Sequence, residues 1–200
     1  MMPIVREGRV PVFGLLALAL ALTATENVLI AAPLWIGTFV LAFVFRELPR
    51  RAPASPLAVL SPVDGRVLSV ESCRDPYRER SSQCVRVVQD AAGPYGLYAP
   101  IEGKLLKVWH GSPAAKEHQA ALWVQTDELD DIVVAVHRSR LPGYLRCRAH
   151  AGERVGHGSR CGFAGFGRIV ELYLPEASRV EVEAGARLRA GQVIGKLLRP

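Results

Sequence analysis

Apolar residues along this chain follow two patterns, and the change comes near residue 56. Before it they are nearly continuous: Val10 to Leu22 is almost unbroken, and Val28 to Phe45 contains no charge, with Thr23-Ala24-Thr25-Glu26-Asn27 between them. A membrane-spanning helix needs roughly 17 to 25 residues. The second run therefore predicts a span, and the first predicts one if it extends through Thr25. After residue 56 the apolar positions form short or alternating runs punctuated by Gly, Pro and Asp, the pattern of strands joined by turns. Strands are expected at 58–60, 66–70, 84–89, 104–109, 122–125, 132–137, 145–149, 169–174, 179–183 and 193–198. No helix of ordinary length is expected there; Pro113 to Gln119 could form a helical turn.

Charge placement orients the apolar part. Arg6 and Arg9 precede the first run, Arg46, Arg50 and Arg51 follow the second, and the connecting turn carries only Glu26. Basic residues are retained on the cytoplasmic side, which predicts a helical hairpin with both ends and the soluble domain in the cytoplasm, at the inner membrane. A cleaved secretory signal and a single long span kinked at Pro33 are the alternatives. The expected organisation is a cytoplasmic N-terminus (1–9), a membrane hairpin (10–45), a Pro-, Arg- and Ala-rich linker (46–56) and a β domain (57–200). The formal charge of +6 suits anionic lipid head groups when carried close to a membrane. Dispersed arginines without an aromatic stacking motif argue against nucleic acid as a partner. Cys73, Cys84, Cys147 and Cys161 show no C-x-x-C spacing, so neither a metal nor a redox motif is expected. The histidines His110, His118, His137 and His150 likewise lack a spacing that marks a metal or a triad, and are expected at the surface or satisfied.

The β part carries an internal echo. Gly152-Glu153-Arg154-Val155-Gly156-His157-Gly158, followed by Gly162, recurs 33 residues on as Gly185-Ala186-Arg187-Leu188-Arg189-Ala190-Gly191, followed by Gly195. Glycines at these places suit tight turns with positive φ. Together with Ala99-Pro100-Ile101-Glu102-Gly103-Lys104-Leu105, the echo resembles the barrel-sandwich hybrid of lipoyl and biotinyl domains. None of Lys104, Lys107, Lys116 and Lys196 sits beside a methionine as a modifiable lysine of those domains does. The expectation is a mainly β, barrel-sandwich-hybrid-like domain behind the hairpin, with no carrier function.

Ser61-Pro62-Val63-Asp64-Gly65-Arg66 and Gly165-Phe166-Gly167-Arg168-Ile169-Val170-Glu171-Leu172-Tyr173-Leu174-Pro175 carry the most specific signal. Both resemble signatures of the short phosphatidylserine decarboxylases. The resemblance also takes in Ile4-Val5-Arg6-Glu7-Gly8, the hairpin, Phe45-Arg46-Glu47 and the stretch from Gly152 to Leu197, so it covers nearly the whole chain. It implies a phospholipid-metabolising enzyme that cuts its own chain after a glycine. The serine that follows attacks the preceding carbonyl, and elimination from the resulting ester leaves a pyruvoyl ketone that serves as electron sink.

Mapped residue by residue, the resemblance sets Asp64 at the family's catalytic aspartate, although Pro-x-Asp-Gly is also ordinary turn chemistry. It sets the processing position at Gly167-Arg168, where the serine is missing, and arginine has no hydroxyl to give. The segment that carries the catalytic histidine in the family corresponds to Gly93-Pro94-Tyr95-Gly96-Leu97-Tyr98, where several residues including that histidine are missing, and the loop from Gly111 to His118 is short. Arg168 is expected either to bind phosphate or carboxylate or to be a solvated strand residue. Gly158-Ser159 beside His157 is a substitute cleavage site weighed and set aside, as an exposed turn. The leading expectation is a membrane-anchored member without self-cleavage, pyruvoyl group or metal, acting by binding a phospholipid or a partner protein. An active decarboxylase with displaced residues and a structural membrane adaptor are the alternatives.

Overall fold

The computed structural model describes residues 4–25, 28–47, 50, 53, 55, 57–110, 117–138, 145–147, 150–165 and 167–198. The chain divides into two compact units, one of Met1–Pro49 with Ala92–Pro94 and the other of the remaining residues. In the first, α1 (Arg6–Ala24) and α2 (Val28–Val44) form a hairpin. Its open end is closed where Val5 N–H donates to Phe45 O at 3.0 Å and Ile4 bridges Arg46. Trp35 Nε1 donates to Thr23 Oγ1 at 3.2 Å near the turn. Gly8 lets the helices touch, since a Cβ there would lie 2.3 Å from Phe45 Cβ. The Arg46 guanidinium lies over the Phe43 ring and donates to the carbonyls of Phe43, Ala92 and Gly93. That grip explains why Ala92–Pro94 belongs to this unit.

α1 is long and apolar enough to cross a membrane; the apolar α2 is shorter. Leu29, Ile36, Phe39 and Val10 stand exposed on the hairpin. With no charge between Phe13 and Thr25 in α1, or anywhere in α2, these faces suit hydrocarbon. The protein is membrane-associated.

The second unit is β throughout its described residues. In chain order the strands are β1 (Ala58–Leu60), β2 (Gly65–Asp75), β3 (Arg80–Gln89), β4 (Gly96–Tyr98), β5 (Gly103–His110), β6 (His118–Gln125), β7 (Asp131–His137) and β8 (Leu145–Cys147). β9 (Arg154–Val155), β10 (Arg160–Ala164), β11 (Ile169–Pro175), β12 (Arg179–Val180), β13 (Arg187–Leu188) and β14 (Val193–Lys196) complete the set. Eight strands form one antiparallel sheet in the order β13-β2-β3-β11-β7-β6-β5-β9, and β1-β14-β12 and β4-β10-β8 make two small sheets. His118 and Gln119 are strand residues, which corrects the expected helical turn; residues 113–116 lie outside the described set. Pairing of His118 with His137 across β6 and β7 holds this stretch extended.

The large sheet has two differently filled faces. Val85, Val87, Val170, Leu172, Leu174, Val134, Leu122 and Leu105 point into the main apolar core. The alternate positions Cys84, Tyr173, Ala135, Val133 and Ala121 form a smaller cluster covered by Tyr77, Trp109 and Trp123. Period-two alternation puts every second side chain on each face, so both faces of β11 are buried.

The echo proves to be a structural repeat of wider extent than the glycines alone. Gly152 N–H donates to Leu105 O and Leu105 N–H to Glu153 O; Gly185 N–H donates to Val67 O and Val67 N–H to Ala186 O. Gly158 and Ser159 bond to Ala99 as Gly191 and Gln192 bond to Ser61. Ser61 to Val67 is therefore the counterpart of Ala99 to Leu105. All four turn glycines have positive φ, from 66° to 96°. This two-fold hybrid is the mainly β fold that the glycine spacing and the Ala-Pro-Ile-Glu-Gly motif predict.

Candidate functional site

Asp64 sits at the tight turn into β2, and the reason lies in Gly65. A Cβ on Gly65 would be 2.0 Å from Val88 O, so only glycine lets β2 start this close to β3. The turn buries the Asp64 carboxylate against one guanidinium, with Arg50 Nη2 2.7 and 2.6 Å from its two oxygens. Ala190 N–H donates to it at 3.3 Å. Burial raises the Asp64 pKa above the ordinary carboxylate value, outweighing Arg50 and the Ala190 amide, which lower it. The repeat counterpart, Glu102, is exposed. A shared turn thus explains the Pro-x-acid-Gly pattern, and the buried ion pair is peculiar to Asp64.

Arg168 stands just before β11, and Gln89 ties it to the Asp64 turn. Gln89 pairs with Gly65 on one side and donates its N–H to Arg168 O at 2.8 Å on the other. The two positions singled out in the sequence therefore meet at one end of three neighbouring strands. The Gln89 side chain is buried there, its amide nitrogen and oxygen both without a hydrogen-bond partner among the described residues. Arg168 is not a solvated strand residue, since only 2% of its surface is exposed. Its Nε donates to Gly165 O at 3.0 Å, and Nη1 donates to Gln119 Oε1 at 2.5 Å and His137 O at 3.1 Å. The preceding Gly167 has φ +57°, which places the guanidinium's own turn in the left-handed region. A serine at 168 could not span these acceptors.

Gly158-Ser159 lies in the turn before β10, and its backbone is committed to the repeat: Gly158 N–H donates to Ala99 O and Ser159 O accepts from Ala99 N–H. Ser159 is half-buried where the sequence pattern suggested an exposed turn. His157 Nε2 is bonded to the Ala58 carbonyl at 2.9 Å. Of the family's histidine segment, Tyr95 is a buried core residue whose hydroxyl donates to Ala91 O.

Sequence spacing missed a buried polar cluster on the second face of the sheet. His118 at the start of β6 and His137 at the end of β7 pair directly, and Glu171 from β11 lies beneath both. His118 Nε2 is 3.1 Å from Glu171 Oε2, and His137 Nε2 is 3.0 Å from Oε1. Arg86 Nε donates to Oε1 at 2.6 Å, and the Tyr173 hydroxyl donates to Oε2. Tyr77 Oη, from the β2–β3 turn, is 2.8 Å from His118 Nδ1. Burial would raise the Glu171 carboxyl, but His118, His137 and Tyr173, which crowd polar groups against it, hold it well below the usual carboxylate range. Burial and the Glu171 carboxylate together push the Tyr173 phenol up. The signal available in the sequence was Glu171 itself, a charged residue alternating with Tyr173 inside an otherwise apolar strand.

No family model matches the chain. Curated proteins do. The phosphatidylserine decarboxylase proenzyme of Nitrosomonas europaea is 33% identical over 202 residues, covering 96% of this chain and 93% of the relative. The proenzyme of the same name from Nitrosomonas eutropha is 30% identical with the same coverage, and that of Aromatoleum aromaticum 28% identical over 199 residues. Among solved structures, glucose permease IIA from Mycoplasma capricolum is similar at 14% identity and a TM-score of 0.48 over 70% of this chain. Mainly β architecture behind an apolar hairpin, and collinear identity along almost all of its length, place the molecule among proteins of phospholipid metabolism. The chain belongs to the phosphatidylserine decarboxylase family.

Proposed function

We propose that this chain is a membrane-anchored member of the family that neither cleaves itself nor forms a pyruvoyl group, and that it acts by binding a membrane phospholipid or a protein partner. The observation that carries the reading is Arg168. It occupies the position where the family resemblance sets the processing serine, and its guanidinium is committed inside the fold to acceptors that include Gly165 O, Gln119 Oε1 and His137 O. A residue without a hydroxyl cannot begin the acyl shift, so these residues do not fit a pyruvoyl group. Asp64 supports the same reading: its carboxylate is paired with Arg50 and, among the described residues, has no hydroxyl or histidine as a hydrogen-bond partner. In this reading Asp64 keeps its place in the scaffold as an ion-pair partner, and the β domain faces the cytoplasm, as the arginines flanking the hairpin suggest.

The test is the intact mass of the native chain purified from its membrane. One polypeptide of full length is expected, with no release of carbon dioxide from phosphatidylserine vesicles. Two polypeptides, the smaller beginning with a carbonyl group in place of residue 159 or 168, would overturn the proposal and make the protein an active decarboxylase with displaced groups.

A further inference from the structure

We infer that His118, His137 and Glu171 form a binding site for a divalent metal ion of the zinc class. The inference is independent of whether the chain processes itself. Two imidazoles and a carboxylate are a donor set that zinc takes with a fourth position left for water. Their spacing fits as well. Zinc bonds of about 2.0–2.2 Å arranged tetrahedrally separate neighbouring donors by about 3.3 Å. His118 Nε2 lies 3.1 Å from Glu171 Oε2 and His137 Nε2 3.0 Å from Oε1, and one donor atom from each of the three residues falls within 4.8 Å of the others, a spacing that small side-chain movements would close around an ion. The two rings meet edge to face with centroids 4.6 Å apart, so both nitrogens converge on the carboxylate.

His137 supplies the observation that a purely hydrogen-bonded cluster leaves over. Its Nε2 is buried 3.0 Å from Glu171 Oε1 but has no aligned hydrogen bond among the described residues, and a buried polar atom left unsatisfied is destabilising. A metal ion would take that lone pair. The surroundings are those a metal site needs. Ligating histidines commonly bond through the other ring nitrogen to a fixed partner, and ligating carboxylates are themselves hydrogen-bonded. Here Tyr77 Oη meets His118 Nδ1, while Tyr173 and Arg86 hold Glu171. In the tautomer in which His118 Nδ1–H donates to Tyr77 Oη, Nε2 presents its lone pair on the Glu171 side. Arg86, the cation against the carboxylate, is offset by Glu71 at 2.9 Å. Arg168 fixes the frame, since it bonds the bulge residue Gln119 next to His118 and the carbonyl of His137.

The experiment uses the full chain in detergent, stripped with chelator and titrated with zinc, and separately with cobalt. One zinc per chain is expected, with the visible absorption of tetrahedral cobalt. His118→Gln and His137→Gln, which keep a polar side chain but ligate poorly, should each weaken zinc at least 100-fold. Tyr77→Phe should weaken it about 10-fold, and His150→Ala should leave it unchanged. Failure of the wild-type chain to hold zinc at micromolar concentration overturns the inference, as does full binding by the His118→Gln/His137→Gln double variant. Should the variants unfold, the cobalt spectrum of the wild-type chain decides: an octahedral spectrum or none overturns the site.

Discussion

Replacing Arg168 with methionine separates a structural arginine from an incidental one. Methionine keeps much of the volume but leaves Gly165 O, Gln119 Oε1 and His137 O without their donor. Each buried acceptor left unpaired costs about 1–3 kcal/mol. Against that, methionine need not bury a charge, and exchanging buried charges for apolar groups returns about 1–4 kcal/mol in favourable cases. The balance is a net loss of about 2–4 kcal/mol. Arg168→Lys keeps the charge but not the planar fork that reaches separate acceptors, and should fall about midway. Urea denaturation of the full chain in detergent, followed by the fluorescence of Trp109 and Trp123, measures both. A methionine variant within about 0.5 kcal/mol of the original would show that the guanidinium does not brace the strand ends, and the reasoning built on its burial would fail.

Two further outcomes test the turn at Asp64. The pKa of Asp64 is raised in the fold by burial, so its contribution to stability is present below the unfolded carboxylate pKa and is lost as pH rises through the folded one. Removing Arg50 takes away an opposing influence and raises that pKa further. Arg50→Met should therefore cost little near pH 4 and about 3 kcal/mol near pH 7.5; equal losses at the two pH values in urea melts would refute the pairing. Gly65→Ala should destabilise by about 1–3 kcal/mol or more, because its Cβ meets backbone at 2.0 Å, whereas Gly14→Ala, with nothing within 4 Å, should be neutral. Thermal melts that fail to separate these two alanines would contradict the close approach of β2 and β3.

Much of the fold could be read because it rests on local rules. The uncharged run from Val28 to Phe45 became α2, and the alternation of Ile169 to Leu174 became β11. The Gly-x-Arg-apolar echo became β9 and β13, with Val155 and Leu188 turned inward in both copies. β4 and β10 were missed because Gly96–Tyr98 and Arg160–Ala164 are short and glycine-bearing, and their extended form comes from pairing with one another. For the site, sequence pointed to Asp64 and Arg168 but not to what they touch. Arg50 lies 14 residues before Asp64, and Gln119 lies 49 before Arg168. The histidine cluster was hidden for the same reason, since no spacing along the chain encodes which strands become neighbours.

The two unusual features of this chain are mechanically connected. An arginine at 168 fills the space at the mouth of β11 and needs acceptors there, and it finds them at Gln119 and the His137 carbonyl. Gln119 is the extra residue of the bulge that lets His118 stand opposite His137. The bonds that occupy the guanidinium are thus bonds to the ends of β6 and β7, the ends that carry the imidazoles over Glu171. A serine at 168 would leave those strand ends unbraced, and with them the approach of His118 and His137 to the carboxylate. Arg168 therefore acts as a clamp on which the histidine cluster depends. Arg168→Ser should therefore loosen zinc as well as the fold, read as weaker zinc binding and a lower urea midpoint than the original chain.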